Sequence, residues 1–193
     1  MQLQIKKEDV LACRTAVQWR SWLVRNHENQ GGIWLQIFKK ASGVATVTYA
    51  QALDEALCFG WIDGQKKRYD DQSFLQKFTP RRPRSVWSKR NREHVARLTK
   101  EKRMTPTGLK EVEAAKADGR WEAAYDSSKN MAVPDDLLKV LAKHKKSALF
   151  FESLNKANRY AILWRLQTAK TPETRKKRMD LILEMLKNGK TFH

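Results

Sequence analysis

The segment from Thr48 to Gly60 constrains the fold more than any other, because it carries both the start signal and the stop signal of one helix. Thr48 and Gln51 have the spacing of a capping box, and Gly60 stands where helices often end in the left-handed conformation. The apolar stripe between them consists of Leu53, Ala56 and Leu57. The stretch from Trp61 to Tyr69 follows at once and has the composition of a strand. The pattern therefore predicts a helix that leads directly into a β-strand.

Two further segments complete a small predicted sheet. Ile33 to Phe38 is short, aromatic and β-branched, so we expect a central strand that is apolar on both faces. Asp70 to Gln72 is typical of a turn, and Ser73 to Phe78 would return antiparallel to the strand that begins at Trp61. The two prolines within Thr79 to Arg84 argue against regular structure and predict an extended basic connector. The predicted fold is α+β, mainly α, with a three-stranded antiparallel sheet covered by helices.

The rest of the chain has the periodicity of helices. In the N-terminal part, we expect helices from about Thr15 to His27, from Ser85 or Ser88 to Arg103, and from Thr105 to Gly119. Four more begin near Pro134, Ser147, Lys156 and Pro172, the first with an apolar stripe of Leu137, Leu138 and Leu141. Asp126 to Asn130 is small and polar, as linkers are. The pattern predicts a sheet-and-helix domain over residues 1–125, a linker over 126–133 and a C-terminal helical module over 134–193.

The charge balance indicates anionic partners. Lys and Arg total 39 against 21 Asp and Glu, which gives the 193 residues a net charge of +18, more than solubility requires. Two regions carry the excess: residues 64–103 contain 14 basic and 4 acidic side chains, and residues 135–193 contain 14 and 6. A nucleic acid, an anionic metabolite or an acidic protein surface would fit this charge, and solvated helix faces are the alternative interpretation.

The expected location of the protein is the cytoplasm. Apolar runs are too short for a transmembrane helix. Met1 to Asp9 has no apolar stretch behind its charges, unlike a secretory leader. Cys13 and Cys58 are too few for a disulfide framework, so we expect reduced thiols.

The sequence motifs of the common enzyme classes are absent. The chain contains no Gly-rich phosphate loop, no GxGxxG, no HExxH, no CxxC and no GxSxG. Its four histidines are scattered, and Cys58 stands at an apolar helix end, where an inert buried thiol is expected. The sequence accordingly predicts no catalytic residue, no metal site and no cofactor.

Two segments remain as candidate binding sites. In the first, Trp61 and Asp63 follow a helix end, and Asp63 would orient a ligand there. The alternatives are that Asp63 caps a turn or pairs with Arg81, and that Trp61 lies in the core. In the second, arginines are interleaved with aromatic, hydroxyl and amide groups at a helix start, which suits a phosphate or carboxylate; a capped helix with a solvated basic entry is the alternative. The candidates in this segment are Arg81, Arg82, Arg84, Ser85, Trp87, Ser88, Lys89, Arg90, Asn91 and Arg92.

These segments resemble the bacterial YdeI/OmpD-associated family, whose members are also described as bacteriocin-protection proteins. The resemblance rests on Ala56 to Gly64 and on Phe78 to Arg81 with Ser85, Trp87, Ser88 and Asn91. Further matches are Ala115 and Lys116 followed by Gly119 to Trp121, and Ala169 to Thr171 with Glu173 to Arg175. It implies protection against bacteriocins or cationic antimicrobial peptides and an association with an outer-membrane porin, and it implies no catalytic residue. It also implies that the Trp61–Asp63 and Thr79–Arg81 segments lie near each other.

The sequence favours a non-enzymatic stress or resistance protein that binds an anionic partner through its basic surface, with Asp63 and Trp87 shaping the site. One alternative is non-specific nucleic-acid binding, since no motif for base-specific readout is present. Another is an enzyme for a small anionic substrate, with Asp63 as base and Arg81 as clamp. A third interpretation treats the C-terminal helices as a protein-interaction module.

Overall fold

The computed structural model describes residues 9–127 and 130–192, and within them the chain forms two compact units. The N-terminal unit takes in residues 9–85 and 91–122, and the C-terminal unit takes in 86–90 and the described residues from 123 onward. Met1 to Glu8, which carry most of the leader prediction, lie outside the described residues, as do Ser128 and Lys129 of the predicted linker. The predicted domain bounds stay a prediction.

The secondary structure alternates between strands and helices at first and is helical afterwards. The elements up to residue 117 are β1 (Val10–Ala12), α1 (Ala16–Asn26), β2 (Ile33–Phe38), α2 (Tyr49–Cys58), β3 (Trp61–Arg68), β4 (Ser73–Pro80), α3 (Lys89–Lys100) and α4 (Pro106–Ala117). The later elements are α5 (Asp135–Ala142), α6 (Lys145–Ser153), α7 (Lys156–Gln167) and α8 (Pro172–Lys187). These eight helices of the described residues confirm that the chain is mainly α.

The sheet has four strands in the order β1-β2-β4-β3. β1 runs parallel to β2, and the other two pairs are antiparallel. The predicted three-stranded antiparallel sheet is therefore wrong, although the inner position of β2 and the β3–β4 hairpin are confirmed. The missed strand, β1, has three residues, which are too few to show an alternating pattern, and its partner lies beyond α1 in the chain.

β4 extends two residues further than predicted, to Pro80. Pro80 pairs with Trp61 of β3, whereas β2 pairs with β4 only as far as Phe78. Since β3 alone lies beside this end of β4, the missing N–H of Pro80 is tolerated at the strand terminus. The segment predicted as a connector is thus strand at its start and irregular only from Arg81 onward.

Local capping signals place the helix ends as predicted. Thr48 and Gln51 form both bonds of the capping box at the start of α2, and Gly60 follows its end with a φ of 73°. Thr105 caps α4 and Thr171 caps α8, each ahead of a proline in the first turn.

The N-terminal core lies on the face of the sheet that carries Phe78. Trp19, Trp61 and Phe78 are each 0% exposed, and the rings of Trp19 and Phe78 lie 5.5 Å apart. Trp19 Nε1 donates a hydrogen bond to the Ala52 carbonyl at 3.0 Å, and Trp61 Nε1 donates to the His27 carbonyl at 2.8 Å. Trp61 is therefore a core residue, the alternative that the sequence left open for it.

The C-terminal unit has a separate core, built from α5 to α8. Its buried members are Leu137, Leu141, Phe151, Ile162, Leu163, Leu166, Met179, Ile182 and Leu186. Leu138 was predicted in the same stripe but is 50% exposed. Leu137 and Leu141 share one helix face at the i, i+4 spacing, and Leu138 stands one position off it.

Candidate functional site

Asp63, the carboxylate predicted to shape the site, lies in β3 opposite Phe78 of β4. Its Oδ2 accepts a hydrogen bond from the Tyr49 hydroxyl at 2.7 Å. Tyr49 is the first residue of α2, so this bond ties the start of the helix to the strand that follows it. Asp63 is thus held by Tyr49, and it does not form the ion pair with Arg81 that the sequence left open.

Arg81 is buried, with only 6% of its surface exposed. Its backbone N–H donates to the Gly60 carbonyl at 3.0 Å, and its Nη1 donates to Ser85 Oγ at 3.5 Å. These bonds fix the end of β4 and the turn that follows. Asp63 and Arg81 are thus held by different partners, the first by Tyr49 and the second by Gly60 and Ser85.

Arg82, Pro83, Arg84 and Ser85 form a turn, which we call the basic turn, and a side chain from a later part of the chain holds it in place. The Ser85 N–H donates to the Arg82 carbonyl at 3.0 Å, and Arg84 has a φ of 66°. A positive φ at the third position, after Pro83, is the mark of a type II turn, where glycine is preferred and arginine is strained. Arg120 donates to the Ser85 carbonyl at 3.0 Å.

Arg120 is itself buried and fixed. It is 9% exposed, and its Nε contacts both carboxylate oxygens of Asp118 at 2.7 Å. A side chain 35 residues away along the chain therefore holds the basic turn in its strained conformation. Sequence reasoning missed Arg120, since nothing in the local pattern links it to the turn.

The remaining predicted residues are divided between the two units. Asn91 and Arg92 belong to the N-terminal unit, where Arg92 donates to the Trp121 carbonyl at 2.7 Å and its guanidinium lies 5.2 Å from the Trp121 ring. Trp87, Ser88, Lys89 and Arg90 belong to the C-terminal unit.

In the C-terminal unit, three of these four residues are buried or in local contacts. Trp87 is 1% exposed, and Ser88 forms a β-bridge with Tyr125. The Lys89 ammonium pairs with Asp126 at 2.8 Å, whereas the Arg90 side chain is exposed. The ten candidates of the basic segment are thus divided between the two units.

A cleft of about 670 Å³, which we call the Trp34 cleft, lies on the face of the sheet opposite Phe78, and its lining residues all belong to the N-terminal unit. Its cations and its apolar surface are contributed by Lys67, Lys77, Arg82, Trp34, Ile62 and Pro80. Of the residues predicted from the sequence, Arg82 and Ser85 line it. The cleft therefore brings part of the basic turn together with three strands of the sheet.

Two lysines approach the indole ring of Trp34 in this cleft. The ammonium of Lys67 lies 5.1 Å from the ring centroid and that of Lys77 lies 5.5 Å from it. Lys77 is the cross-strand partner of Trp34, so both side chains stand on the same face of the sheet. The cleft thus holds two cation–π contacts on one aromatic ring.

A β-bulge decides which lysine of β3 reaches the cleft. The register between β3 and β4 shifts between Asp63 and Lys66, and the buried Gln76 side chain donates to the carbonyl of Gly64 at 2.9 Å. One extra residue turns the following side chains to the other face. Lys67 therefore stands over Trp34, and Lys66 lies 4.0 Å from the Phe74 ring instead. Strict alternation along the strand would have placed Lys66 on the face of Trp34, so the contact between Lys67 and Trp34 could not be predicted from the sequence.

The electrostatics of the Trp34 cleft are dominated by positive charge. Burial lowers the pKa of the Lys77 ammonium, an effect that the negative charge of Asp9 partly offsets. Asp9 also lines the cleft, so three cations face one carboxylate. Within the described residues, Lys67, Lys77 and Arg82 form no ion pair, and an anion entering the cleft would meet unneutralised cations.

A second cleft of the N-terminal unit, of about 580 Å³, has balanced charge. Its lining includes Arg81, Lys110, Glu28, Glu111, His27 and Phe59. Two cations and two carboxylates leave no strong preference for an anion. The Trp34 cleft is therefore the better candidate.

In the described part of the chain, no group of three or more His, Cys, Asp or Glu side chains has the arrangement of a metal site. No helix there is long and apolar enough to cross a membrane. The thiols of Cys13 and Cys58 are buried, and burial raises the pKa of Cys13 to about 11.

Fold and cleft together define a two-unit, mainly α protein with a four-stranded mixed sheet and a cation-lined cleft on that sheet. Residues 11–111 match the family described as Domain of unknown function (DUF8412). This match covers more than half of the chain, and the chain belongs to that family.

A second family matches the C-terminal part. Residues 130–189 match the family described as Bacteriocin-protection, YdeI or OmpD-Associated, which confirms the resemblance found in the sequence. No significant match was found among curated proteins or solved structures. The segments around Trp61 and Arg81, on which part of the resemblance rested, lie in the first match rather than the second.

Proposed function

We propose that this protein is a non-enzymatic cytoplasmic resistance or stress protein that binds an anionic partner in the Trp34 cleft. The observation that carries the proposal is the convergence of Lys67, Lys77 and Arg82 on one cleft of the sheet. The family description for residues 130–189 supplies the context of bacteriocin protection.

Three arrangements support an anion as the partner. Lys67 and Lys77 are placed by strand register, and Arg82 by a turn that Arg120 holds in place. Lys67 and Lys77 are half-buried and Arg82 is exposed, and an anion between them would relieve the repulsion among the three positive charges. Arg82 also offers a planar fork for two parallel hydrogen bonds to a phosphate or carboxylate.

The net charge argues against capture of cationic peptides. A chain of +18 repels a cationic bacteriocin. Protection then acts through an anionic target for which such a peptide would compete, or through an indirect stress role.

The test compares two triple variants with equal loss of charge. The cleft variant removes the three cations of the cleft and carries Lys67→Ala, Lys77→Ala and Arg82→Ala. Lys40→Ala, Lys66→Ala and Lys100→Ala remove three exposed cations elsewhere in the N-terminal unit. The probes are inorganic pyrophosphate, a short single-stranded RNA and duplex DNA, each between about 50 and 200 mM salt.

We expect the cleft variant to lose at least about tenfold in affinity for the probe that binds the wild type, because close charge pairs are lost. The control variant should change affinity much less at each salt concentration. Equal losses in the two variants, or no probe bound by the wild type at low salt, would contradict the proposal. Titration calorimetry and anisotropy provide the affinities, and thermal unfolding checks that both variants are folded.

A further inference from the structure

We infer that the anion bound in the Trp34 cleft is the phosphate of a nucleotide, whose base stacks on the indole of Trp34. This inference rests on the proposed function, since it names the chemical class of the same cleft's ligand.

The lining of the cleft is divided between charge and apolar surface. Lys67, Lys77 and Arg82 supply the cations, while Trp34, Ile62 and Pro80 supply apolar surface. A bare phosphate would satisfy the cations and leave the apolar surface in water. A ligand that joins a phosphate to a flat ring covers both parts.

The size of the cleft fits such a ligand. Its volume of about 670 Å³ lies within the roughly 300–1,000 Å³ of small-molecule sites. Polar groups of Gln65, Thr79 and Ser85 also line it. These groups offer hydrogen bonds to a sugar or to the edge of a base, which a simple fatty acid or aryl carboxylate would not use.

The two lysines leave room for stacking when they engage a phosphate. Both ammonium groups lie more than 5 Å from the centroid of the Trp34 ring, at the ends of four-carbon stems. Trp34 is only 9% exposed, so a base can stack on it only where a phosphate beside the ring draws the two flexible lysine side chains away from the ring face. Stacking on an aromatic side chain strengthens the binding of a base by about tenfold or more.

The strained basic turn marks the same end of the cleft. Arg82 and Ser85 line the cleft, and Arg84 between them keeps a positive φ that glycine would adopt without strain. Strain that surrounding contacts maintain is a feature of ligand-binding segments. The phosphate end of the nucleotide is therefore assigned to Arg82 and the base to Trp34.

The experiment measures the affinities of AMP, ribose 5-phosphate and a four-nucleotide single-stranded RNA by titration calorimetry. The proteins are the full-length wild type, Trp34→Leu, Trp34→Phe, the double variant Lys67→Ala with Lys77→Ala, and Lys66→Ala as the matched lysine control. We expect AMP to bind the wild type about tenfold tighter than ribose 5-phosphate. Tighter binding of the RNA than of AMP would identify a nucleic acid strand as the source of the nucleotide, and the reverse would identify a free nucleotide.

The variants separate the base from the phosphate. Trp34→Leu should remove the preference for AMP and keep the affinity for ribose 5-phosphate, and Trp34→Phe should keep most of the preference. The lysine double variant should weaken both ligands, and Lys66→Ala should change neither. If Trp34→Leu does not fold, the ratio of the AMP affinity to the ribose 5-phosphate affinity, measured in the wild type and in Trp34→Phe, tests the stacking of the base.

Two failures are distinguishable. In the first, the wild type binds AMP and ribose 5-phosphate with equal affinity, and the lysine double variant binds neither. That result would contradict the nucleotide inference and support the proposed anion site. Binding of pyrophosphate without binding of AMP has the same meaning. If no phosphate-bearing probe binds, the proposed function falls as well.

Discussion

The two basic regions of the chain carry similar charge and use it differently. In residues 64–103, Lys67, Lys77 and Arg82 line a cleft beside an aromatic ring. In residues 135–193, Arg175 and Arg178 of α8 turn back to the end of α7. A count of charges therefore locates cations along the chain, whereas the nearby carbonyls and carboxylates decide which cations stay available to a partner.

The C-terminal arginines satisfy the free carbonyls of a helix end. Arg175 donates to the Leu166 carbonyl at 2.6 Å, and Arg178 donates to the Arg165 carbonyl at 2.5 Å. Arg175 also pairs with Asp136 of α5 at 2.6 Å. Positive charge at a helix C-terminus is favourable, so this part of the second basic region serves the fold.

The same distinction holds inside the first region. Arg97 pairs with Asp54, and Arg103 pairs with Glu55, each at 2.7 Å. Both carboxylates lie on α2. Lys67 and Lys77 of the strands and Arg82 of the basic turn form no ion pair within the described residues, and these three line the cleft.

The largest expected effect breaks the register that brings the cleft lysines together. Gln76→Leu removes the buried amide that satisfies the bulge carbonyls of Gly64 and Gln65, at 2.9 and 3.3 Å. We expect a loss of about 3 kcal/mol in the free energy of unfolding, because two carbonyls lose their donor. Urea unfolding measures the loss. Unchanged stability would show that the bulge does not depend on this side chain.

Arg178→Ala tests the structural use of the second region. The Arg178 guanidinium donates to the Arg165 carbonyl and, at 3.1 Å, to the Thr168 hydroxyl. Because both hydrogen bonds are lost in the variant, we expect a loss of about 2 kcal/mol in the free energy of unfolding. Lys176→Ala and Lys177→Ala are the controls, since both side chains are exposed, and each should change stability by less than about 0.5 kcal/mol. Similar losses in all three variants would remove the contrast between the regions.

Arg84→Gly should separate stability from binding in the first region. Glycine adopts the positive φ of Arg84 without strain, so we expect a gain of about 1 kcal/mol in unfolding free energy. The same change removes a cation beside the cleft, so the affinity for a phosphate-bearing probe should fall. A gain in stability together with unchanged affinity would show that the strained conformation does not serve the anion.

The pH dependence of stability should come from a paired carboxylate in the second region and from a partly buried lysine in the first. A hydrogen bond from Arg175 lowers the pKa of Asp136, so this carboxylate stabilises the fold above its ordinary pKa, and the contribution is lost as pH falls through the lowered value. Burial lowers the pKa of Lys77, so stability rises as pH increases from that lowered value toward the ordinary pKa of lysine.

Urea unfolding across the pH range checks both effects. Asp136→Asn should lose the acid-side decrease, and Lys77→Met should lose the alkaline-side increase. An alkaline rise of equal size in Lys77→Met and the wild type would place its origin elsewhere. These effects are the smallest of the four, because both side chains keep contact with water.

What could be predicted from the sequence was local. The capping box of Thr48, the threonine–proline starts of α4 and α8, and the hairpin that begins at Trp61 each depend on residues a few positions apart. β1 could not be predicted, because the strand with which it pairs lies beyond a helix in the chain. The position of Lys67 over Trp34 could not be predicted either, because it depends on a bulge that has no local sequence signal. The ten candidates of the basic segment are adjacent in sequence, and adjacency does not predict which carbonyl or carboxylate each side chain contacts.

The strand order has a consequence for how the protein behaves at high concentration. β1 and β3 are the outer strands, and β1 has only three residues while β3 ends in Lys66, Lys67 and Arg68. Short or lysine-rich outer strands resist pairing with the strands of another molecule. Lys67, which lines the cleft, therefore also protects this edge of the sheet against pairing, and its neutralisation by a ligand or a substitution would weaken colloidal stability.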